Sequence, residues 1–336
     1  MTVQISIRPS DHTFGCEPDE TVLQAAMRAD LMIPYGCRNG ACGTCKGRIL
    51  DGSVDFGAHQ PSTLTDDEKR RGIALFCVAR PRSDLVIEVR EVRRAGDIQI
   101  KRLPCRIESI DKPVPDVAIV KLKLPSSERL QYLAGQYIDF LLKDGKRRSF
   151  SLATRPDVAG VTALEIHVRH TPGGVFTDHV FEKLKVRDLL RFEGPLGSFY
   201  LREDSDRPIV MVASGTGFAP IKAIALQALE KKVSRPITLY WGARLKRDLY
   251  MLELAQSWKH LKFIPVLSDE KWDGRMGFVH RAVMEDFPDM SGVQVYACGA
   301  PIVVESARKD FSLTCKLPAE EFYADSFLTE ADKAAA

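Results

Sequence analysis

Apolar and polar positions alternate from Val3 to Arg8, the two-residue period of a half-buried strand, and residues 13–17 repeat the habit. Residues 3–9 and 13–17 are therefore predicted to pair as a hairpin, an opening unlike the apolar core of a signal peptide. Val22, Leu23, Ala26 and Met27 then recur at helical spacing behind Thr21, whose hydroxyl suits a helix N-cap. Gly47–Leu50 and Leu85–Val89 read as strands, and Thr65-Asp-Asp-Glu68 is a capping box that opens a short helix between them. These short mixed elements make a first unit, residues 1–92, followed by the basic, polar stretch Arg93–Asp97 as a linker.

From 103 to 202 the strand-like runs are Pro104–Ile107, Val117–Leu122, Tyr137–Leu141 and Ala163–Val168. Turn signals at Pro113, Gly135, Gly145, Gly160 and Pro172-Gly-Gly174 space them, which predicts a small antiparallel barrel. From 206 to 330 the pattern changes to apolar strands separated by helical stretches: Pro208–Ala213, Ile237–Trp241, Lys262–Leu267 and Gln294–Ala297. Strands apolar along their whole length belong in a parallel sheet covered on both faces, so an α/β doubly wound domain is expected. Ile209 to Leu229 resembles a membrane span, but Ser214-Gly-Thr-Gly217, Pro220 and Lys222 interrupt it. A buried strand, a turn and a helix are expected there, with no membrane association.

At 336 residues the chain has room for two or three such units. Its 48 basic and 45 acidic residues leave a net charge of +3, which gives no footprint for nucleic acid. Cys16, Cys105, Cys298 and Cys315 lie far apart in sequence, as reduced thiols of a cytoplasmic protein would. The last six residues, Ala331–Ala336, read as a frayed tail.

The other cysteines carry chemistry. Cys37, Cys42 and Cys45 are spaced C-x4-C-x2-C, and 31 residues separate Cys45 from Cys77. This is the plant-type ligand set of a [2Fe–2S] cluster. Structural zinc favours paired C-x2-4-C spacings, and only one short pair exists here. Gly36, Gly40 and Gly43 let backbone wrap closely around inorganic sulfide. Short strands packed on a helix around such a loop resemble the β-grasp fold of plant-type ferredoxins.

Two patterns in the barrel point to a second cofactor. In Arg148-Ser-Phe-Ser151 a cation and a flat ring share one strand face, suited to a phosphate and an aromatic heterocycle. In Arg169-His-Thr-Pro-Gly-Gly-Val-Phe-Thr177 two glycines, a hydroxyl and a helix start suit a diphosphate. Together, after a ferredoxin unit, they resemble the flavin domain of the ferredoxin–NADP reductase superfamily. The resemblance implies FAD held by Arg148, Phe150, Ser151, Arg169, Gly173, Gly174 and Thr177, with His167 near the flavin. Phe150 stands where the family usually has Tyr, so the ring is kept and a phenol hydrogen bond is lost. His167 and His170, three apart on a strand, point to opposite faces and do not make a metal pair.

The last unit opens a nucleotide site at Gly215-Thr-Gly217, where a tight turn lets a pyrophosphate approach the backbone ahead of a helix. Pro220 occupies the final position of the standard G-x-G-x-x-G pattern. Gly242-Ala-Arg…Asp248-Leu-Tyr250 and Cys298-Gly-Ala-Pro301 resemble the nicotinamide domain of the same superfamily. By that resemblance Gly215, Thr216, Gly217 and Pro220 lie at the pyrophosphate, and Arg244 near the adenosine ribose. Cys298, with Gly299 and Pro301, would sit beside the reacting nicotinamide carbon as the catalytic thiol. No acidic residue directly ends the second strand, and Arg244, Lys246 and Arg247 could attract a 2′-phosphate; family habit favours NADH.

A nicotinamide gives two electrons as a hydride, a [2Fe–2S] centre takes one, and a flavin converts between them. The expected fold is thus multidomain: a β-grasp ferredoxin, an antiparallel flavin barrel and an α/β nicotinamide domain. The expected function is an NAD(P)H-dependent oxidoreductase that passes hydride to FAD and single electrons through the cluster to a separate acceptor protein. The order resembles the one-chain reductases of aromatic-ring dioxygenases and diiron monooxygenases, and CDP-6-deoxy-3,4-glucoseen reductase of deoxysugar synthesis. Leu239–Arg244 and Glu321–Phe327 look most like the glucoseen branch, which implies a dehydrase partner. An oxygenase component is the alternative partner. Reduction of a small molecule at the flavin, and a redox sensor without sustained turnover, are the readings from other classes.

Overall fold

Thr21 caps its helix as its position foretells. In the computed structural model, which describes residues 2–94 and 98–327, its hydroxyl accepts from Gln24 N and the Gln24 side chain accepts from Thr21 N. The first helix, α1 (Val22–Arg28), follows the hairpin of β1 (Val3–Arg8) and β2 (Thr13–Cys16). β3 (Lys46–Asp51), α2 (Asp66–Arg70), β4 (Ile73–Leu75) and β5 (Leu85–Glu88) complete a mixed sheet of order β2-β1-β5-β3-β4. Ile5, Ile7, Leu23, Ala26, Phe76 and Ile87 fill the core between sheet and helix. This is the expected β-grasp arrangement, with the cysteine loop between α1 and β3.

The expected linker is partly structured. Arg93–Arg94 pair antiparallel with Leu31–Met32, so the chain is still hydrogen-bonded where its composition suggests a free connection. Positions 95–97 of that linker, and the expected tail at 331–336, lie outside the described residues. Two compact units result, one running to Gln99 and one from Ile100 to Phe327.

The second unit begins with six antiparallel strands: β6 (Lys101–Val114), β7 (Val117–Lys123), β8 (Tyr137–Leu141), β9 (Arg147–Ser151), β10 (Ala163–Arg169) and β11 (Leu189–Leu196). Their order is β9-β8-β11-β6-β7-β10, and a bridge between Leu152 and Ile166 joins the two edges into a barrel. The sequence reading omits β11, whose alternation Leu190-Arg-Phe-Glu193 is only four residues long before Gly194-Pro195. A one-turn helix, α3 (Val175–Asp178), packs Phe176 into the barrel core.

Six parallel strands follow. β12 (Ile209–Ser214) leads through the Gly215–Gly217 turn into α4 (Phe218–Glu230). The helix begins before Pro220, which sits in its first turn, where a missing N–H is harmless. Then come β13 (Ile237–Ala243), α5 (Leu252–Ser257), β14 (Lys262–Leu267), β15 (Arg275–Met276), α6 (Val279–Asp286), β16 (Gln294–Gly299), α7 (Pro301–Thr314) and β17 (Phe322–Ser326). The order is β15-β14-β13-β12-β16-β17. Met211 and Ala213 of β12 pack with Ile221 of α4, while Val210 and Val212 pack with Val283 and Phe311. Apolar contacts on both faces explain the unbroken apolar run. No helix among the described residues is long and apolar enough to cross a membrane.

Candidate functional site

The four loop cysteines come together as two pairs. Cys45 Sγ is 3.1 Å from Cys77 Sγ, and Cys42 Sγ accepts from the Cys37 backbone N–H at 3.4 Å. Cys42, Cys45 and Cys77 are buried and all four are free thiols. A hydrogen bond from the Cys37 thiol pulls the Cys42 thiol down to about 5, against its burial and helped by the Cys37 N–H and Thr44. Cys37 is raised by the same bond, and Cys45 by its bond to Cys77. Among the described residues no three His, Cys, Asp or Glu side chains converge on a single-ion site. Two thiol pairs fit a two-iron cluster, which needs two thiolates at each iron.

β9 alternates as its sequence requires. Ser149 Oγ donates to Asp139 Oδ1 (2.7 Å) and Ser151 Oγ to Asp325 Oδ2 (3.0 Å). On the opposite face lie Arg148, half-buried, and Phe150, whose ring centroid is 5.0 Å from Phe176 and 5.9 Å from Phe140. Phe150 thus closes the barrel core with one side of its ring. In the following turn Thr177 Oγ1 donates to Thr171 O (2.9 Å) and accepts from Thr171 N (3.2 Å). That hydroxyl shapes the turn around Gly173 and Gly174. His170 bonds Asp178 through Nε2 at 2.9 Å, away from His167.

β12 and β16 are neighbours whose C-terminal ends make the crevice of the doubly wound sheet. A Cβ on Gly217 would stand 2.2 Å from Cys298 O, and one on Gly299 2.4 Å from Ser214 O, so only glycine lets the two turns meet. Cys298 is buried in register with Asp325, and burial, then the Asp325 charge, holds its thiol well above the ordinary range. Thr216 is buried in the turn, and Pro301 opens α7 just beyond the crevice.

The other face of the barrel is read by β10. Leu164, Ile166 and Val168 point into the core, while Glu165, His167 and Arg169 face the nicotinamide half. The Arg169 guanidinium, paired with Asp116 at 2.5 Å, lies 3.5 Å from where a Gly215 Cβ would be. An arginine expected at the flavin diphosphate therefore also borders the Gly215–Gly217 turn of the NAD-binding domain. His167 is buried with both ring nitrogens engaged: Nδ1 is 2.7 Å from Tyr250 Oη and Nε2 3.0 Å from Glu165 Oε1. Just past β13, Arg244 Nε donates to Asp269 Oδ2 (2.8 Å) and Lys246 N to Glu270 Oε2 (2.7 Å). These carboxylates arrive from beyond β14, not from the end of β13.

Three family descriptions match the chain in order: a 2Fe-2S iron-sulfur cluster binding domain over 5–82, an oxidoreductase FAD-binding domain over 104–200 and an oxidoreductase NAD-binding domain over 211–309. The CDP-6-deoxy-L-threo-D-glycero-4-hexulose-3-dehydrase reductase of Yersinia pseudotuberculosis serotype I is 39% identical over 334 residues, 98% of this chain and 99% of that protein. The chain belongs to the one-chain iron–sulfur flavoprotein reductases. Reductase component 1 of terephthalate 1,2-dioxygenase from Comamonas sp is 37% identical, covering 98% of each chain. The solved structure of the Amycolatopsis cytochrome P450 reductase overlays with a TM-score of 0.77 at 35% identity, covering 97% of this reductase and 99% of that one.

The expected three-part fold is thus present, with [2Fe–2S], FAD and NAD-binding domains. Sequence reasoning overlooked Asp325, although it lies in a quoted segment, because nothing local says that β17 ends beside Ser151. Glu165 and Lys222 carry no motif, and only the packing of barrel against α4 reveals them.

Proposed function

We propose that this reductase takes hydride from NADH and delivers single electrons to a dehydrase of the CDP-6-deoxyhexulose type, in the cytoplasm. The observation that carries the partner is the full-length likeness to the Yersinia reductase, whose name specifies such a dehydrase. A ring-hydroxylating oxygenase is the second reading, supported by the equally complete likeness to the terephthalate dioxygenase reductase component.

The chain's own residues divide the work. Cys37 with Cys42, and Cys45 with Cys77, hold the cluster in residues 1–92. Arg148 and the turn at Gly173-Gly174 hold FAD in residues 103–202, with Phe150 and Ser151 along the ring system. Gly215, Thr216 and Gly217, with Pro220 opening α4 behind them, hold the nicotinamide nucleotide in residues 206–330, and Arg169 faces its pyrophosphate across the barrel boundary. Cys298, Gly299 and Pro301 form the crevice wall; Cys298 stays protonated and packs at the reacting end. Asp269 occupies Arg244, which supports NADH over a nucleotide bearing a 2′-phosphate. The bound groups supply two-electron and one-electron chemistry; the protein supplies orientation, dryness and charge.

Anaerobic stopped-flow absorbance with NADH and, separately, NADPH tests this reading. Flavin bleaching followed by loss of the cluster bands is expected, faster with NADH. Flavin reduction with an untouched cluster would overturn the electron path. Reconstitution with a CDP-hexulose dehydrase and with a ring-dioxygenase oxygenase component then separates the two partners.

A further inference from the structure

Lys222 Nζ, Glu165, His167 and Tyr250 form one continuous hydrogen-bonded chain through the interior of the second unit. Lys222 Nζ lies 2.7 Å from Glu165 Oε1 and 3.3 Å from Ala153 O. Lys222 and His167 are buried, and Glu165 is nearly so. The chain has a fixed polarity. An ammonium only donates and an ionised carboxylate only accepts, so His167 must carry its proton on Nε2 to bond Glu165. Burial, and to a lesser extent Lys222, depress the imidazolium against the opposing pull of Glu165, so the ring is neutral. Its bare Nδ1 then accepts from the Tyr250 phenol, which burial holds protonated.

The chain grips the nucleotide turn from two sides. Lys222 belongs to α4, the helix that opens directly after Gly215–Gly217. Tyr250 ends the segment that starts at Arg244 and stands edge-on to Trp241, with ring centroids 5.3 Å apart. Trp241 in turn stacks on Phe218 at 3.8 Å and donates its indole N–H to Gly215 O at 3.1 Å. Protonating His167 would put a second proton into the Nδ1–Tyr250 contact. The phenol oxygen would have to accept from Nδ1–H and swing its own O–H toward the aromatic enclosure of Phe218 and Trp241, disturbing the support under Gly215. The charged and titratable groups that face this point are Glu165 and Arg169 from β10, Lys222 from α4, Tyr250 itself and Cys298 across the crevice.

We propose that His167 is a positioning residue for the nicotinamide nucleotide, locked as the neutral Nε2–H tautomer between Glu165 and Tyr250, and that nucleotide affinity depends on that lock. The inference rests on the hydride-donor reading above. It makes nucleotide binding acid-sensitive through a residue that does not touch the nucleotide.

The test is calorimetric titration of the full-length holoprotein with NAD+ between pH 5.5 and 8.5, for the native chain, Tyr250→Phe and His167→Asn. Tyr250→Phe keeps the ring and deletes only the hydroxyl; His167→Asn keeps an acceptor near Nδ1 but cannot titrate. The native protein should bind with constant affinity from about pH 8.5 through 6.5, where the depressed imidazole stays neutral, and weaken only toward the acid end of the range. Tyr250→Phe should bind about 3- to 10-fold more weakly at pH 8, the worth of one such hydrogen bond, and lose most of the pH dependence. His167→Asn, which cannot titrate, should show a flat profile at whatever affinity it has at pH 8. FAD and cluster absorbance should be unchanged in both. Native affinity with a native pH profile in Tyr250→Phe, or an acid limb retained in His167→Asn, would overturn the lock. Failure of the native protein to bind NAD+ at all would instead overturn the nucleotide-site reading beneath it.

Discussion

Ser151 Oγ donates to Asp325 Oδ2 at 3.0 Å, a bond that joins residues 174 apart in sequence. Ser151 ends a barrel strand, and Asp325 lies on the last strand of the parallel sheet in register with Cys298. Hydroxyl, carboxylate and thiol therefore meet where flavin and nicotinamide are expected to face each other. Asp325→Ala leaves a buried hydroxyl without its acceptor. It should lower stability by about 1.5–3 kcal/mol, as for a hydrogen bond to a charged group. Flavin reduction by NADH should slow by about 10-fold as the two halves lose their register. Thermal unfolding and stopped-flow flavin bleaching read the two effects separately. A stability loss with an unchanged rate would leave Asp325 a scaffold residue.

The paired cysteines make a clean separation of centres testable. Cys42→Ser removes one thiolate from the Cys37–Cys42 pair of the first unit. Cluster absorbance should vanish and reduction of one-electron protein acceptors should fall to background. NADH-driven ferricyanide reduction at the flavin should survive. Joint loss of both activities in a folded protein would contradict separate centres.

Arg148 shares a strand face with Phe150, and its Nη1 donates to the Arg147 carbonyl at 2.8 Å, which orients the guanidinium. A charge-assisted contact to phosphate is stronger than a neutral one. Arg148→Ala should weaken FAD affinity by about 10-fold or more, read as flavin content after gel filtration and by FAD titration. Native flavin content would move the phosphate site elsewhere.

Gly217 is where the turn after β12 packs against the end of β16. Ala there would place Cβ 2.2 Å from Cys298 O, a backbone atom that cannot yield without moving β16. Overpacking of this kind costs about 1–3 kcal/mol. Gly217→Ala should abolish NAD+ binding in calorimetry while FAD and cluster spectra persist. Native NAD+ affinity would show that the turn is not where the nucleotide lies.

Local chemistry made much of this readable. The cluster spacing, the caps at Thr21 and Thr65, and the Gly215–Gly217 turn each depend on residues close in sequence, so pattern alone finds them. β11 stayed hidden because its alternation covers only Leu190–Glu193 before Gly194-Pro195, and pairing with β6 and β8 is what makes it a strand. The acids beside Arg244 and Lys246 escaped notice for a related reason: Asp269 follows one strand and meets Arg244 at the end of another. The Lys222–Glu165–His167–Tyr250 chain joins three segments that carry no shared motif. Long-range polar contacts of this sort exist only once the barrel and the parallel sheet have packed.

That same chain predicts how the protein responds to acid. Burial pushes the Glu165 carboxyl up, but hydrogen bonds from His167 and Lys222 and the lysine charge pull it down to about 2. A carboxyl held below its unfolded value of about 4.3 adds stability above that pH and loses it as pH falls toward 2. His167 is depressed below 6.5, so the unfolded chain binds the proton more readily. Its contribution is complete above about pH 6.5 and fades as pH falls below it. Both slopes have the same sign, the histidine acting first. Calorimetric melting of the holoprotein should therefore show a midpoint that is flat from pH 8 to about 6.5, declines below it, and steepens below about 4.3. His167→Asn should erase the first decline and keep the second. Lys222→Met should keep the first decline and move the second to higher pH, because Glu165 would lose its charged partner. Superimposable melting profiles for all three proteins would mean that the buried chain is electrostatically silent.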